Sequence, residues 1–377
     1  MVTDDSKRKM LVSSIRLASL LAIPSLSVNA AKADDFEDYK SDMNRGLFQI
    51  EDEFSQYKMK YQAAYQSYQD EITQFWQSAE LSNQKTWVDY SPAMDVKRVV
   101  DFDKNEIRIS IQGDKLQGFS PKDAEREILV ALTMDVDKAY QQDPLLSKVV
   151  GVKLPGSQSP LLGLDANMAS DLGRKAQLKR MGGKRGELLT ITAKLPENSL
   201  AVRAYGYVPE VQKASSRWNV PAAVIMAIMH TESSFNPMAR SHIPAFGLMQ
   251  IVPKSAGRDA SRLVFGQERL LTGADLFKPS TNIQMGAAYL HILDTRYLKG
   301  IVDPEARQVC VIAAYNTGAG NVARAFTGNT SVKKALPLIN RLTAKQVYAH
   351  LRSNLKYQEA RNYVKKVTEV MPLYSYT

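Results

Sequence analysis

The hydrophobic pattern of this 377-residue chain changes abruptly near residues 196–199. Before that point, short runs alternate apolar and polar residues, as in VKRVVDF (96–102), EIRISIQ (106–112) and ELLTITAKL (187–195), which is typical of half-buried strands. Beyond it, apolar residues recur at helical spacing over 207–217, 221–233, 281–294, 304–316, 318–326, 343–352 and 357–370. The pattern predicts an α+β region followed by an all-helical region, and the chain is long enough for two domains.

The first region also predicts two helices. One long amphipathic helix is expected over 36–79, where apolar or aromatic side chains recur every seven positions. Its Tyr and Gln residues suit a coiled-coil seam poorly, so we expect it to pack on its own domain. A second helix is expected over 120–142, with Ser120 at its N-cap. Residues 151–163 are expected to form a loop and 174–186 a basic, solvated turn. No catalytic or metal-binding motif marks this region.

The N-terminus carries the pattern of an export signal. Lys7-Arg8-Lys9 precedes the short apolar run LASLLAIPSLSV (17–28), and small residues at 28–33 offer cleavage sites. We therefore predict a cleaved signal peptide over 1–33, an α+β domain over 34–197, a helical domain over 198–377 and a periplasmic location. No cysteine lies near residue 30, so a lipid anchor is not expected.

Charge is distributed unevenly between the two predicted domains. Residues 198–377 hold 22 basic and 10 acidic residues, a net charge of +12, whereas residues 34–197 are net negative. Such a basic half suits nucleic acid, an anionic membrane surface or an acidic polymer. Export argues against nucleic acid and favours an acidic cell-wall polymer, with membrane or cell-envelope protein contacts as a further possibility. The single cysteine, Cys310, is expected to pack in a helix as a small hydrophobe.

One carboxyl group stands out in the segment NVPAAVIMAIMHTE. Val224, Ile228 and Glu232 follow at i, i+4 and i+8, which places Glu232 on an apolar helix face in the last turn. Desolvation and the negative end of the helix dipole both disfavour the carboxylate, so Glu232 is a candidate general acid. A Glu that caps local backbone or pairs with Arg240 remains an alternative on position alone.

Four short motifs follow in order from this residue: Glu232-Ser233, Gly-Leu-Met-Gln (247–250), Ala-Tyr-Asn (314–316) and Glu-x-x-x-Tyr (359–363). This order resembles the catalytic domain of the soluble lytic transglycosylase family, goose-type-lysozyme-like enzymes that cut peptidoglycan. The resemblance covers residues 205–370 and implies an all-helical, lysozyme-like catalytic domain behind the α+β domain. An α+β domain in front of this module is similar to the arrangement in membrane-bound members of the family.

The resemblance implies a reaction with one catalytic carboxyl group. Glu232 would protonate the glycosidic oxygen between N-acetylmuramic acid and N-acetylglucosamine. It would then deprotonate the muramoyl C6 hydroxyl, which closes on C1 to give a 1,6-anhydro sugar. The substrate-binding residues that the resemblance implies are Ser241, Met249, Gln250, Tyr315, Asn316, Glu359 and Tyr363.

Several of these residues also have ordinary structural interpretations. Ser241 could satisfy loop backbone, Met249 could belong to the core and Asn316 could cap a helix. Glu359 could form a surface ion pair with a neighbouring Arg or Lys. The other carboxylates near the motifs, at residues 259, 275 and 294, stand in loop-like or polar contexts where solvated roles prevail.

The histidines do not predict a metal site. His230, His242, His291 and His350 include no pair with the spacing that zinc requires, so chemistry without metal or cofactor is expected. Peptidoglycan glycan strands are the expected partner. Two rivals to the lytic reaction stay open, a hydrolytic muramidase and a non-catalytic peptidoglycan-binding protein. The first would differ by one water in its product.

Overall fold

A computed structural model of the protein describes residues 31–148, 156–242 and 244–376, with the backbone alone for 31–51 and 148. Nearly all of the predicted signal peptide lies outside these residues. The contacts divide the chain into residues 1–49 and a second compact unit, residues 50–377. Within the described ranges, no helix has the length and apolar character needed to cross a membrane.

The first helix, α1 (Ala31–Phe75), agrees with the long helix predicted over 36–79. Its second half buries Tyr61 and Tyr68. The Tyr61 ring also meets the Phe246 ring edge-on, with centroids 5.8 Å apart. Aromatic pairs favour this arrangement, so α1 contributes directly to the environment of the loop around Phe246.

The α+β region is built on one antiparallel sheet with strand order β1-β2-β3-β5-β4. The strands are β1 (Thr86–Tyr90), β2 (Val96–Asp101), β3 (Glu106–Gln112), β4 (Gln177–Gly183) and β5 (Gly186–Lys194). The three strands predicted from alternation are confirmed as β2, β3 and β5.

The predicted basic turn over 174–186 is wrong for most of its length. Its residues form the exposed edge strand β4, and only Lys184 and Arg185 connect β4 to β5. Basic side chains are compatible with an edge strand because one of its sides faces water, and they discourage pairing with other chains.

The helix predicted over 120–142 is two helices, α2 (Pro121–Leu132) and α3 (Val136–Gln142). The break is stabilised by Asp135, whose carboxylate accepts a hydrogen bond of 2.8 Å from the backbone N–H of Lys138 and so caps α3. Two short helices complete this region, α4 (Pro144–Lys148) and α5 (Ala169–Lys175).

Helices dominate from residue 199 onward. They are α6 (Ser199–Tyr205), α7 (Val208–Trp218), α8 (Ala222–Ser233), α9 (Arg258–Phe265), α10 (Gly273–Leu276), α11 (Pro279–Ile292), α12 (Pro304–Thr317), α13 (Ala319–Thr327), α14 (Val332–Ile339), α15 (Ala344–Asn354) and α16 (Gln358–Val370). All seven predicted helical segments are present, and α6, α9, α10 and α14 are additional. Cys310 is fully buried in α12, as expected.

The buried side chains from Tyr61 to Tyr374 form one continuous hydrophobic cluster. Sheet, α1 and C-terminal helices therefore stabilise one another within residues 50–377. The division into domains at residue 197 stays a prediction. The shared core has a functional consequence, because segments of the α+β region can reach the end of α8.

Candidate active site

Helix α8 brings Glu232 to the edge of a cavity. The helix is buried on all sides rather than along one stripe, since every residue from Val224 to Met229 is at most 2% exposed. Glu232 lies in its last turn and is half-buried. The helix ends there because Ser234 and Phe235 adopt left-handed backbone conformations, with φ of +49° and +63°. The Glu232 side chain opens on a cavity of about 390 Å³.

The cavity collects most of the side chains that the motifs indicated. Its walls include five of the eight predicted site residues, Glu232, Gln250, Tyr315, Asn316 and Glu359. They come from α8, the loop after it, α12 and α16. Residues far apart in the sequence thus form one concave surface around the half-buried Glu232 carboxyl group, an arrangement suited to a polymeric ligand with one reactive bond.

Burial governs the protonation of Glu232. Desolvation raises the pKa of its carboxyl group from 4.5 to about 7, and the negative charge of Glu359 adds to the rise. A hydrogen-bonding interaction with the Tyr363 hydroxyl and the positive charge of Lys85 act in the opposite direction and lower this pKa. A carboxyl group with a pKa near neutrality can both donate and accept a proton at physiological pH.

Arg240 does not neutralise Glu232, although the sequence left that pairing open. Its guanidinium instead pairs with the Asp143 carboxylate at 2.5 Å, and the two side chains are 2% and 5% exposed. Because a buried charge is costly without a partner, this pair anchors the loop after α8 to the α+β region.

Two tyrosines lie close to the carboxyl group. The Tyr315 hydroxyl donates a hydrogen bond of 2.9 Å to the backbone carbonyl of Met249. The Tyr363 hydroxyl interacts with Glu232 but makes no hydrogen bond of standard geometry to any described residue. Burial and the charge of Glu232 raise the pKa of both hydroxyls well above the ordinary value. Both tyrosines therefore remain neutral donors.

The Gly-Leu-Met-Gln loop is held by Asn282 of α11. The buried Asn282 side chain donates to the carbonyls of Phe246 (2.7 Å) and Leu276 (2.8 Å) and accepts from the N–H of Met249 (2.8 Å). Gly247 has a φ of +73°, and a Cβ there would lie 2.3 Å from both the Asn282 amide nitrogen and the Leu276 oxygen. The loop therefore requires glycine at this position, and its conformation places Gln250 in the cavity wall.

Three predicted substrate-binding residues do not line the cavity. The Met249 side chain is fully buried, and a Cβ on Gly286 would meet its sulphur at 2.2 Å, so it packs in the core. Ser241 donates its backbone N–H to the Ala245 carbonyl at 3.1 Å in the loop. Tyr363 acts on Glu232 from beneath the surface. Their predicted contacts with substrate gain no support from this placement.

Of the carboxylates in the described ranges, Glu359 is the only one besides Glu232 that lines the cavity. Asp275 caps α10 through Thr272, Asp294 pairs with Arg307 at 2.7 Å, and Asp259 accepts a hydrogen bond of 3.1 Å from Tyr297. These three side chains have structural partners instead of the solvated roles predicted for them, and Asp259 and Asp275 lie in helices α9 and α10 rather than in loops.

Arg361, a possible partner of Glu359 in the sequence, donates instead to the Gln358 side chain at 2.7 Å. Within the described residues, no group of three or more His, Cys, Asp or Glu side chains could hold a metal ion.

The sequence did not indicate Gln84 and Tyr289, which also line the cavity. Tyr289 lies on α11 with its ring centroid 5.7 Å from that of Tyr315. The sequence could have indicated Tyr289, because it is an amphipathic aromatic residue among the small residues of α11. Gln84 belongs to the segment before β1, where no local pattern connects it with α8.

Comparison with known proteins agrees with this arrangement. The sequence profile of the Transglycosylase SLT domain matches residues 209–337, which contain α8, the Gly-Leu-Met-Gln loop and α12. Membrane-bound lytic murein transglycosylase C of Histophilus somni (strain 2336) is 34% identical over 315 residues, 80% of this chain and 84% of that relative. The protein of that name from Actinobacillus succinogenes is 31% identical over 372 residues, covering 95% and 97% of the two chains. This chain is therefore an enzyme of the lytic murein transglycosylase family, and the residues that match the Transglycosylase SLT domain lie in its helical region.

Proposed function

We propose that this enzyme cleaves the β-1,4 bond between N-acetylmuramic acid and N-acetylglucosamine in peptidoglycan, with Glu232 as its acid and base. The observation that carries the proposal is the Glu232 carboxyl group, desolvated at the end of α8 in a cavity wall and with a pKa raised to about 7. The family to which the chain belongs supplies the class of polymer.

The reaction needs two proton transfers at one carboxyl group. Protonated Glu232 donates to the glycosidic oxygen, and the bond from C1 of the muramoyl residue to that oxygen breaks. The 2-acetamido group of the substrate stabilises the positive centre at C1. The Glu232 carboxylate then takes the proton of the C6 hydroxyl, whose oxygen bonds to C1. The product carries a 1,6-anhydro ring, Glu232 is protonated again, and no water is consumed.

The remaining cavity residues would bind the sugar. Gln250 lies in the cavity wall, where its side-chain amide donates to the Gly247 carbonyl at 3.0 Å. Asn316 and Glu359 line the same wall and offer further polar groups. Tyr315 shapes the wall with its ring, since its hydroxyl is bonded to backbone.

The proposal includes a location in the periplasm, where peptidoglycan is accessible. The export signal predicted over residues 1–33 and the net +12 charge of residues 198–377 support it. The same charge supports contact with acidic glycan strands and with the membrane surface or cell-envelope proteins.

Digestion of purified sacculi by the wild type and by Glu232→Gln tests the proposal. The variant keeps the size of the side chain but cannot transfer a proton, so release of soluble muropeptides is expected to fall by at least about 100-fold. Glu369→Gln, an exposed change on α16, is the matched control and should digest like the wild type. A cooperative thermal unfolding transition in each of the three proteins establishes that all of them fold. Muropeptide release by Glu232→Gln at the wild-type rate would reject the proposal.

A further inference from the structure

Lys85 of the α+β region reaches the end of α8. Its half-buried ammonium group donates to the backbone carbonyls of His230 (2.9 Å) and Thr231 (2.7 Å) and to the Ser234 hydroxyl (3.0 Å). The three contacts use all three donors of the group. Two of them lie in the turn that carries Glu232.

Both carbonyls lie at the C-terminus of α8, where the helix dipole is negative. The His230 carbonyl also accepts the backbone N–H of Ser234 at 3.0 Å, whereas Lys85 supplies the donor for the Thr231 carbonyl. A cation in this place also offsets the dipole. Ser234, which ends α8 with a left-handed backbone, is also held by its own hydroxyl, which donates to the Asp103 carboxylate at 3.3 Å. Such a conformation persists in a residue other than glycine only where the surroundings fix it. Lys85 and Asp103, both from the α+β region, provide that restraint.

Charge connects Lys85 with Glu232 as well. The positive charge of Lys85 lowers the pKa of Glu232, while Glu232 and Asp103 raise the pKa of Lys85. Burial is the larger effect on Lys85 and brings its pKa down to about 8, with a further lowering by Lys366. At neutral pH the ammonium form therefore prevails.

Other groups around Glu232 and Lys85 have defined effects. The Tyr363 hydroxyl lowers the pKa of Glu232 and Glu359 raises it. The neighbouring imidazole of His230 has its pKa lowered to about 4 by burial and by Lys85, so it stays neutral. It bonds the Tyr374 hydroxyl at 2.9 Å. Lys85 is thus the cation whose removal would change the charge beside Glu232 most directly.

We propose that Lys85 is a positioning residue for the reaction, through which the α+β region fixes the last turn of α8 and holds a positive charge beside the Glu232 carboxyl group. The inference rests on the proposed role of Glu232 and gives the α+β region a part in catalysis. It acts through Glu232 and needs no contact between Lys85 and substrate.

The test compares Lys85→Met, which removes the charge and keeps the stem, with Lys85→Arg, which keeps the charge. Lys122→Met, an exposed change at the start of α2, is the control. The pH dependence of kcat/KM is measured on sacculi for each. Without the cation the Glu232 carboxyl group should hold its proton to higher pH. The alkaline limb of the kcat/KM profile of Lys85→Met should therefore move to higher pH. Its rate at neutral pH should fall about tenfold or more, since a displaced catalytic group is costly.

A purely structural role would not move the pH profile. Lys85→Arg should keep the wild-type alkaline limb, and Lys122→Met should match the wild type in rate and profile. A readout that needs no catalysis is the 13C titration of labelled Glu carboxyl groups, with the Glu232 resonance assigned by its loss in Glu232→Gln. In Lys85→Met this resonance should titrate at higher pH. If Lys85→Met does not fold, Lys85→Arg decides, and an altered alkaline limb in that variant would overturn the inference.

The two proposals fail differently. If Glu232→Gln is inactive while Lys85→Met keeps the wild-type rate, alkaline limb and Glu232 titration, the role of Lys85 is rejected and that of Glu232 stands. If Glu232→Gln digests sacculi like the wild type, the proposed function fails and the role of Lys85 in the reaction fails with it.

Discussion

Glu232 and Glu359 line the same cavity from two different helices, and the negative charge of Glu359 raises the pKa of Glu232. Glu232 is half-buried at the end of α8, whereas Glu359 is exposed in the first turn of α16. Carboxylates in different environments take different protonation states, a pattern that many glycosidases use to separate acid from base. Here Glu232, the less exposed of the two, has a pKa raised to about 7.

Removing the charge of Glu359 should therefore lower the pKa of Glu232. Glu359→Gln is expected to move the alkaline limb of the kcat/KM profile to lower pH, because Glu232 loses its proton sooner. Glu369→Gln changes the same residue type on the same helix, and its partner is Lys365 rather than a cavity group. Profiles that coincide for the two variants would contradict the electrostatic coupling.

Tyr363→Phe should shift the profile in the opposite direction. The Tyr363 hydroxyl stabilises the Glu232 carboxylate, so its loss raises the pKa of Glu232 and carries the alkaline limb to higher pH. Tyr205→Phe, at a side chain that is 73% exposed, serves as the control. An alkaline limb that does not move in Tyr363→Phe would show that the hydroxyl does not act on the carboxylate, and a shift to lower pH would contradict the stabilisation of the carboxylate.

The half-buried Glu232 carboxyl group should also lower the free energy of unfolding as the pH rises. Its folded pKa, about 7, exceeds the ordinary 4.5, so the unfolded state releases its proton first as pH rises. The free energy of unfolding of the wild type should therefore decline relative to Glu232→Gln between pH 4.5 and 7 and differ by a constant amount above that range. The loss is on the order of 2–3 kcal/mol at most, because one side of the group is open to water. Denaturant unfolding of both proteins at several pH values measures it, and parallel pH curves would contradict it.

Gly247→Ala should disrupt the loop that carries Gln250. The added Cβ would lie 2.3 Å from Asn282 and from the Leu276 carbonyl, in addition to the strain of a φ of +73°. Gly266→Ala isolates the strain, since Gly266 has a φ of +75° and nothing lies within 4 Å of its added Cβ. We expect a loss of about 1–2 kcal/mol of stability for Gly266→Ala and clearly more for Gly247→Ala. Equal losses of unfolding free energy for the two variants, measured by chemical denaturation, would show that the loop adjusts to the added Cβ.

The spacing of apolar residues in the sequence predicted those elements whose conformation depends on nearby residues. Alternation located β2, β3 and β5, and the helical period placed Glu232 in the last turn of α8 within an apolar environment. The edge strand β4 was not predicted because its Lys, Arg and Gly residues are typical of a turn. Its strand conformation depends on pairing with β5. Short helices such as α10 offer too few residues for a period to be recognised.

Besides Glu232, the sequence predicted only those cavity residues that belong to the short motifs following Glu232 along the chain. Gln250, Tyr315 and Glu359 line the cavity, but the core position of Met249 follows from the close approach of Gly286, which the sequence does not reveal. The contact between Lys85 and Thr231 joins residues 146 positions apart. No periodicity reports such a contact, because it depends on how the α+β region packs on α8.

The masses of the fragments that the purified protein releases from sacculi test the central claim most directly. If Glu232 takes the proton of the C6 hydroxyl and the C6 oxygen then bonds to C1, the muramoyl ends are 1,6-anhydro sugars, lighter by one water than the products of hydrolysis. We expect such ends in the wild-type digest and at least about 100-fold fewer of them from Glu232→Gln. Ordinary reducing ends in the wild-type digest would contradict it and would assign hydrolysis to the enzyme instead.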